Sequence, residues 1–312
     1  MKFQNNCTVR FSVQFIKLKR RTSPILWYYV IRKGDVFMIK KIGFNFIDNN
    51  PEREIKVGDI REASANNETV APRKCLVEIK FPDVYKPYTY YNDMFNLEIG
   101  DRVFVDGKLE GVMGVVVNIT YNFKIKLSDY KRVIGKADTN VQGEFHFAGS
   151  HFITFDSNAL SYEKAITWFQ APEIDDEFVN SSDGSSFTLE TLEGLKFDEH
   201  DLENGKEIYM ENSVEYVELN GTKGRAIVVT SKPYIVEFTY KNGEISELYC
   251  ECYHLTPCKH CFATLFQLRE TLKAIEENYS EIYKDSNYFA TIFKPKFFNF
   301  AVKNKTTGSI NL

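Results

Sequence analysis

Cys250-Glu251-Cys252-Tyr253-His254-Leu255-Thr256-Pro257-Cys258-Lys259-His260 constrains this chain more than any other stretch: three sulfurs and one imidazole recur within eleven residues, spaced C-x-C, five residues, then C-x-H. Thiolates are soft, charged donors and imidazole a borderline one, a set suited to Zn²⁺ in a tetrahedral shell. With Cys250, Cys252, Cys258 and His260 all bound, no position stays open to water or substrate. Such a site holds a fold together and does not catalyse.

The flanking sequence supplies the means to bring two ligand pairs to one point. Tyr234 to Tyr240 alternates apolar and polar residues, Asn242-Gly243 is a strong hairpin-turn signal, and Ile245 to Cys250 reads as the returning strand. The i, i+2 spacing puts Cys250 and Cys252 on one face of an extended segment. Pro257 closes the loop, and Cys258 and His260 fall just before or inside the first turn of a helix over about 260–277. That helix carries Phe262, Leu265, Phe266, Leu268, Leu272 and Ile275 at near-helical spacing.

This arrangement resembles the SWIM zinc finger of bacterial proteins, whose pattern is C-x-C, a variable gap and C-x-H, preceded by strands and followed by a helix. Gly205-Lys206-Glu207-Ile208-Tyr209, Val214-Glu215-Tyr216-Val217 and Gly221 to Val229 look like that module's earlier strands. The resemblance spans about residues 203–277 and implies Cys250, Cys252, Cys258 and His260 as ligands of Zn²⁺. It also implies a role in binding DNA or protein. Proteins with this finger often accompany Swi/Snf-type helicase-like ATPases, and the finger also occurs in Mutator-like transposases and some eukaryotic signalling proteins.

Other uses of these residues weigh less. Cys7, Cys75 and Cys261 read as small buried hydrophobes. Disulfides are disfavoured because the chain reads as cytoplasmic, where reduced thiols favour metal. His254, inside the loop, is a competing ligand, and the helix-start position of His260 makes it the better one.

Charge is unevenly spread. Residues 1–41 hold ten Lys or Arg against Asp35 alone, leaving 29 basic against 42 acidic residues in the remainder. This basic start, with Lys17-Leu18-Lys19-Arg20-Arg21 at its heart, reads either as an arm that touches nucleic-acid phosphates or as sequence upstream of a true start near Met38. No segment reaches the roughly 20 apolar residues a membrane span needs.

Short antiparallel strands are expected between Arg73 and Lys136: Cys75 to Phe81, Tyr88 to Tyr91, Val103 to Val105 with a turn at Asp106-Gly107, and Gly114 to Ile119. This cadence looks like a small β-barrel, which is a packing or interaction module more often than a nucleic-acid binder. Beyond it, Phe145 to Phe147 and His151 to Asp156 read as strands and Leu160 to Phe169 as a helix. His146, His151 and Asp156 read as half-buried structural residues, not as a second metal site. Pro172 to Ser186 is a polar connector, and Asp198-Glu199-His200-Asp201 a solvated loop. There is no G-x-x-x-x-G-K-[ST], G-x-S-x-G, G-x-G-x-x-G or H-E-x-x-H, so the chain is not read as an enzyme.

The expected protein is therefore α+β. It has a basic segment at 1–41, a small antiparallel β-barrel-like domain at 42–136 and a mixed connector at 137–202. A β-hairpin/helix zinc-finger module follows at 203–285, with a C-terminal hairpin at 286–312. Residues 220–275 carry seven Lys or Arg against five Glu, and Lys223, Arg225, Lys232, Lys241 and Lys259 are the candidates for phosphate contact. The expected function is a structural-zinc module that binds DNA or a protein; the alternatives are an adaptor subunit of a helicase-like ATPase and an enzyme with an unrecognised site.

Overall fold

The computed structural model describes residues 12–17, 27–33, 36–42, 72–171, 185–194, 199–252, 257–303 and 309–312. Cys7, residues 18–21 of the basic run, the 172–184 part of the polar connector and His254 lie outside them. The first three strands, β1 (Ser12–Lys17), β2 (Trp27–Lys33) and β3 (Val36–Ile42), form an antiparallel meander.

Residues 75–136 form a five-stranded antiparallel sheet from β4 (Cys75–Lys80), β5 (Tyr88–Asn92), β6 (Arg102–Val105), β7 (Gly114–Thr120) and β8 (Val133–Lys136), in the order β5-β4-β7-β6-β8. Alternation along β4 buries Cys75, Val77 and Ile79 with Val103, Val105, Val116 and Val133. Gly107 takes φ +88° in the expected turn. The expected closed barrel does not form. Closure needs a continuous staggered ladder around the ring, whereas the edge strands β5 and β8 meet through a bridge at Tyr91 and Arg132. Arg102 ties this sheet to the rest of the molecule: its guanidinium donates to the Asn299 carbonyl and Oδ1 and lies 4.3 Å over the Phe300 ring.

After β9 (Gly143–Glu144), most of the chain builds one antiparallel sheet of eight strands. Its strands are β10 (His146–Ala148), β11 (His151–Thr154), β12 (Ser186–Thr188), β13 (Val214–Asn220), β14 (Lys223–Val229), β15 (Pro233–Lys241), β16 (Glu244–Cys250) and β17 (Tyr288–Phe293). Their order is β10-β11-β17-β13-β14-β15-β16-β12. Both faces are covered. On one, Val217, Leu219, Ala226, Val228, Val236 and Phe238 pack against helices α2 (Glu199–Met210) and α3 (Lys259–Asn278). On the other, Tyr216, Ile227, Ala290 and Ile292 meet α1 (Tyr162–Ile166), Trp168 and the aromatic C-terminal segment, where Trp168 stacks on Phe300 at 5.1 Å.

Two expectations are corrected. Residues 205–209, read as a strand, and 199–201, read as a loop, belong to α2. Acidic Glu199 and Asp201 sit in its first turn, where they suit the positive end of the helix. The C-terminal hairpin is replaced by a dispersed segment. After α4 (Ser280–Ser286), β17 lies between β11 and β13, buried on both faces as a continuous apolar run in a central strand should be. Then α5 (Lys294–Phe297) and a π-helical turn, Phe298–Val302, lead to β18 (Ser309–Asn311), which joins β1 and β9 in another sheet. Phe297 and Phe300 are core residues, as expected, while Phe298 is exposed. Among the described residues no helix is long and apolar enough to cross a membrane.

Candidate metal centre

The cluster sits where the β15–β16 hairpin meets the start of α3. Asn242 (φ 52°) and Gly243 (φ 85°) make the hairpin turn, both left-handed as a two-residue turn requires. Opposite the turn, Cys250 pairs with Val236. Between them the register slips by one residue, and Glu247 in β16 adopts φ 51°. The slip decides which way Cys250 points. In an unbroken strand, Ile245 and Cys250, five residues apart, would face opposite sides; with the extra residue both enter the core beneath α3.

From the other side, Cys258 is the N-cap of α3 in extended conformation, and its carbonyl accepts the Phe262 N–H at 3.1 Å. His260 follows in the first turn. The ligand atoms of Cys250, Cys252, Cys258 and His260 all lie within 4.8 Å of one another. His260 Nδ1 is 3.8 Å from both the Cys250 and Cys258 sulfurs, and the Cys252 and Cys258 sulfurs are 3.3 Å apart. A tetrahedral ion with metal–sulfur bonds near 2.3 Å separates its sulfurs by roughly 3.8 Å, so the group is close to the size that such an ion needs. Cys250 (2% exposed), Cys258 (0%) and His260 (2%) are buried, with Cys252 partly open.

Surrounding groups orient the imidazole. Thr230 Oγ1, in the turn before β15, lies 3.4 Å from His260 Nε2, and the Tyr234 ring stacks on the imidazole at 4.2 Å. Hydrogen bonds from Cys250 and Cys261 hold the Cys258 thiol far below its ordinary value, while donating to Cys258 pushes Cys250 up. Cys261, expected to be a plain buried residue, is buried with its sulfur 3.7 Å from that of Cys258. The Thr230 and Tyr234 contacts had no signal in the sequence, because each lies more than twenty residues from His260.

The five basic candidates do not converge. Lys223 and Lys241 lie toward the hairpin-turn end of the sheet, Arg225 sits mid-strand in the row of Glu237 and Tyr249, and Lys232 and Lys259 flank the cluster end. Lys223 pairs with Glu247 at 2.6 Å, and Arg225 pairs with Glu163 at 3.2 Å and Glu237 at 3.3 Å. Lys232 sits 5.3 Å from the Tyr234 ring centroid.

His151 is buried, with its ring nitrogens 2.8 Å from the Val214 carbonyl and 2.9 Å from Ser150 Oγ; burial pushes its pKa down. His146 lies against the Phe155 and Tyr279 rings. Sequence reasoning missed Glu218, a carboxyl only 6% exposed at the edge of a cleft of about 600 Å³. Its Oε1 accepts the Tyr288 hydroxyl at 2.9 Å and the Tyr162 N–H at 3.3 Å, and burial pushes its pKa up.

No family model matches the chain, nor does any curated protein or solved structure.

Proposed function

We propose that this chain is a DNA-binding protein built around a SWIM-type finger, in which Cys250, Cys252, Cys258 and His260 hold one structural Zn²⁺. The observation that carries the reading is the convergence of four zinc-type ligand atoms within 4.8 Å, from a strand end and a helix start. Four protein ligands complete a tetrahedral shell, so the ion's work is to fasten the β15–β16 hairpin to α3 and to add its binding energy to folding. The C-x-C and C-x-H spacing and the strand-hairpin-helix order support the SWIM resemblance.

Metal analysis of protein purified without added metal tests this directly. One zinc per chain, lost in Cys258→Ser, is expected; a chain that refolds fully and carries no metal would defeat the proposal. Fluorescence anisotropy against labelled DNA tests the ligand, since phosphate contacts make affinity fall steeply with salt.

A second reading, an adaptor that docks a protein such as the helicase-like ATPase implied by the resemblance, draws support from Lys223 and Arg225. Both are engaged by carboxylates of this chain. Absence of salt-sensitive DNA binding by the zinc-loaded protein would favour it.

A further inference from the structure

The connection from β7 to β8 carries a charge pattern that the metal cluster does not use. Residues 121–132 contain Lys124, Lys126, Lys131 and Arg132 against Asp129 alone. Both ends of this connection close on Tyr91 of β5. The Phe123 ring meets Tyr91 edge-on at 6.1 Å, the Arg132 guanidinium lies 5.6 Å from the Tyr91 ring centroid, and the Tyr91 N–H donates to the Lys131 carbonyl at 2.9 Å. Alongside, the Arg73 guanidinium lies 4.2 Å over the ring of Tyr121, which is 43% exposed. Arg73, Lys74, Lys124, Lys126, Lys131 and Arg132 are all exposed. Asp93 meets Arg132 at 3.5 Å.

We propose that this edge of the five-stranded sheet is a binding surface for single-stranded DNA. Six exposed cations beside three carboxylates, Asp93, Asp129 and Asp106 (whose Oδ1 accepts the Arg132 N–H at 2.6 Å), fit a polyanion, and the phosphates of one strand supply charges at regular intervals. The aromatic groups narrow the choice. An acidic peptide would satisfy the cations and leave the exposed ring of Tyr121 without a role, and a duplex keeps its base faces stacked inside. Unpaired bases offer flat faces to stack on Tyr121 and on the guanidinium planes of Arg73 and Arg132. The inference rests on reading the chain as a DNA-binding protein and not on its zinc, because β4, β5, β7 and β8 build the surface away from the cluster.

The test is anisotropy of the full, zinc-loaded chain against labelled oligo(dT) of about 20 nucleotides, the matching duplex and oligo(U). Two variants probe the surface: Tyr121→Ala, and Lys124→Glu combined with Lys126→Glu. All three positions are exposed, and thermal melts check that each variant folds. Lys232→Glu combined with Lys259→Glu probes the cluster end. The expected result is tighter binding of oligo(dT) than of duplex. Each surface variant should weaken it about tenfold or more, the charge reversal should flatten the salt slope by about 0.7 for each phosphate no longer neutralised, and the cluster-end variant should weaken it less than either surface variant does. Absence of oligo(dT) binding, equal binding in folded surface variants, weakening confined to the cluster-end variant, or a strong preference for oligo(U) would each overturn the proposal. Metal content measured on the same samples separates the two failures. A zinc-loaded chain that ignores oligo(dT) defeats this inference alone, and a zinc-free chain that still binds it defeats the zinc reading alone.

Discussion

Thr230 Oγ1 and His260 Nε2 lie 3.4 Å apart, on the side of the imidazole away from the Nδ1 that faces Cys250 and Cys258. If Thr230 accepts, Nε2 carries the proton and the Nδ1 lone pair is aimed at the sulfurs, which is how an outer contact sets the tautomer of a histidine ligand. Thr230→Val keeps the shape and removes the acceptor. Zinc affinity, measured by competition with a chromophoric chelator, should fall by about tenfold, at the low end of such effects because Thr230 is exposed. Unchanged affinity would mean that the Tyr234 stack alone orients the ring.

Cys258→Ser isolates the metal from the helix. Cys258 is the N-cap of α3, and serine is a better cap than cysteine, so the start of the helix should not suffer. The damage should fall on the cluster. Hydrogen exchange should quicken over Glu244–Cys250 and the first turn of α3, while β4 to β8 keep their protection. The rest of α3 should persist, because Phe262, Leu265, Phe266 and Leu268 are buried against the sheet whether or not metal is bound. An exchange pattern identical to wild type would remove the case for a bound ion.

What the sequence disclosed here was short-range. The Asn242-Gly243 turn, the strands on either side and the apolar face of α3 are encoded within a few residues, and they place Cys250, Cys252, Cys258 and His260 together. The slip at Glu247 was not legible, since nothing in the residue types marks a left-handed glutamate, yet it alone turns Cys250 to the α3 side. Helix α2 was misread because Gly205 sits in its middle, where glycine disfavours a helix by about 1 kcal/mol, and only packing on α3 repays that. The place of β17 between β11 and β13 follows from pairings with strands about 70 and 140 residues earlier, beyond any local pattern.

Gly205→Ala measures that packing. An added Cβ would stand 2.5 Å from Phe262 Cβ and 2.8 Å from the Lys259 carbonyl oxygen, both fixed parts of α3. Alanine gains up to about 1 kcal/mol of helix propensity, whereas overpacking against a rigid neighbour costs about 1–3 kcal/mol. The obstacles include backbone, so overpacking should win, and a lower midpoint in urea is expected. Because Lys259 lies between Cys258 and His260, zinc affinity should fall as well. A more stable variant would show that α2 does not press on α3 at this point.

Glu218 supplies a prediction with a defined sign in pH. Burial raises its pKa; the Tyr288 hydroxyl, the Tyr162 N–H and Arg225 oppose the rise, and Glu163 adds to it. A carboxyl whose folded pKa lies above its unfolded value binds its proton more tightly when folded. Its contribution to stability is therefore complete below the ordinary carboxylate range, about pH 4.3, and is lost as pH rises through the folded value. Glu218→Gln keeps a carbonyl to accept from Tyr288 and Tyr162 and removes the titration. Urea unfolding of both proteins at about pH 4 and about pH 7.5 should show the variant gaining on the wild type as pH rises. Both proteins carry the same metal cluster, so any effect of pH on the cluster cancels in the difference. A difference that stays constant between the two pH values would mean that Glu218 ionises in the fold as easily as it does in water.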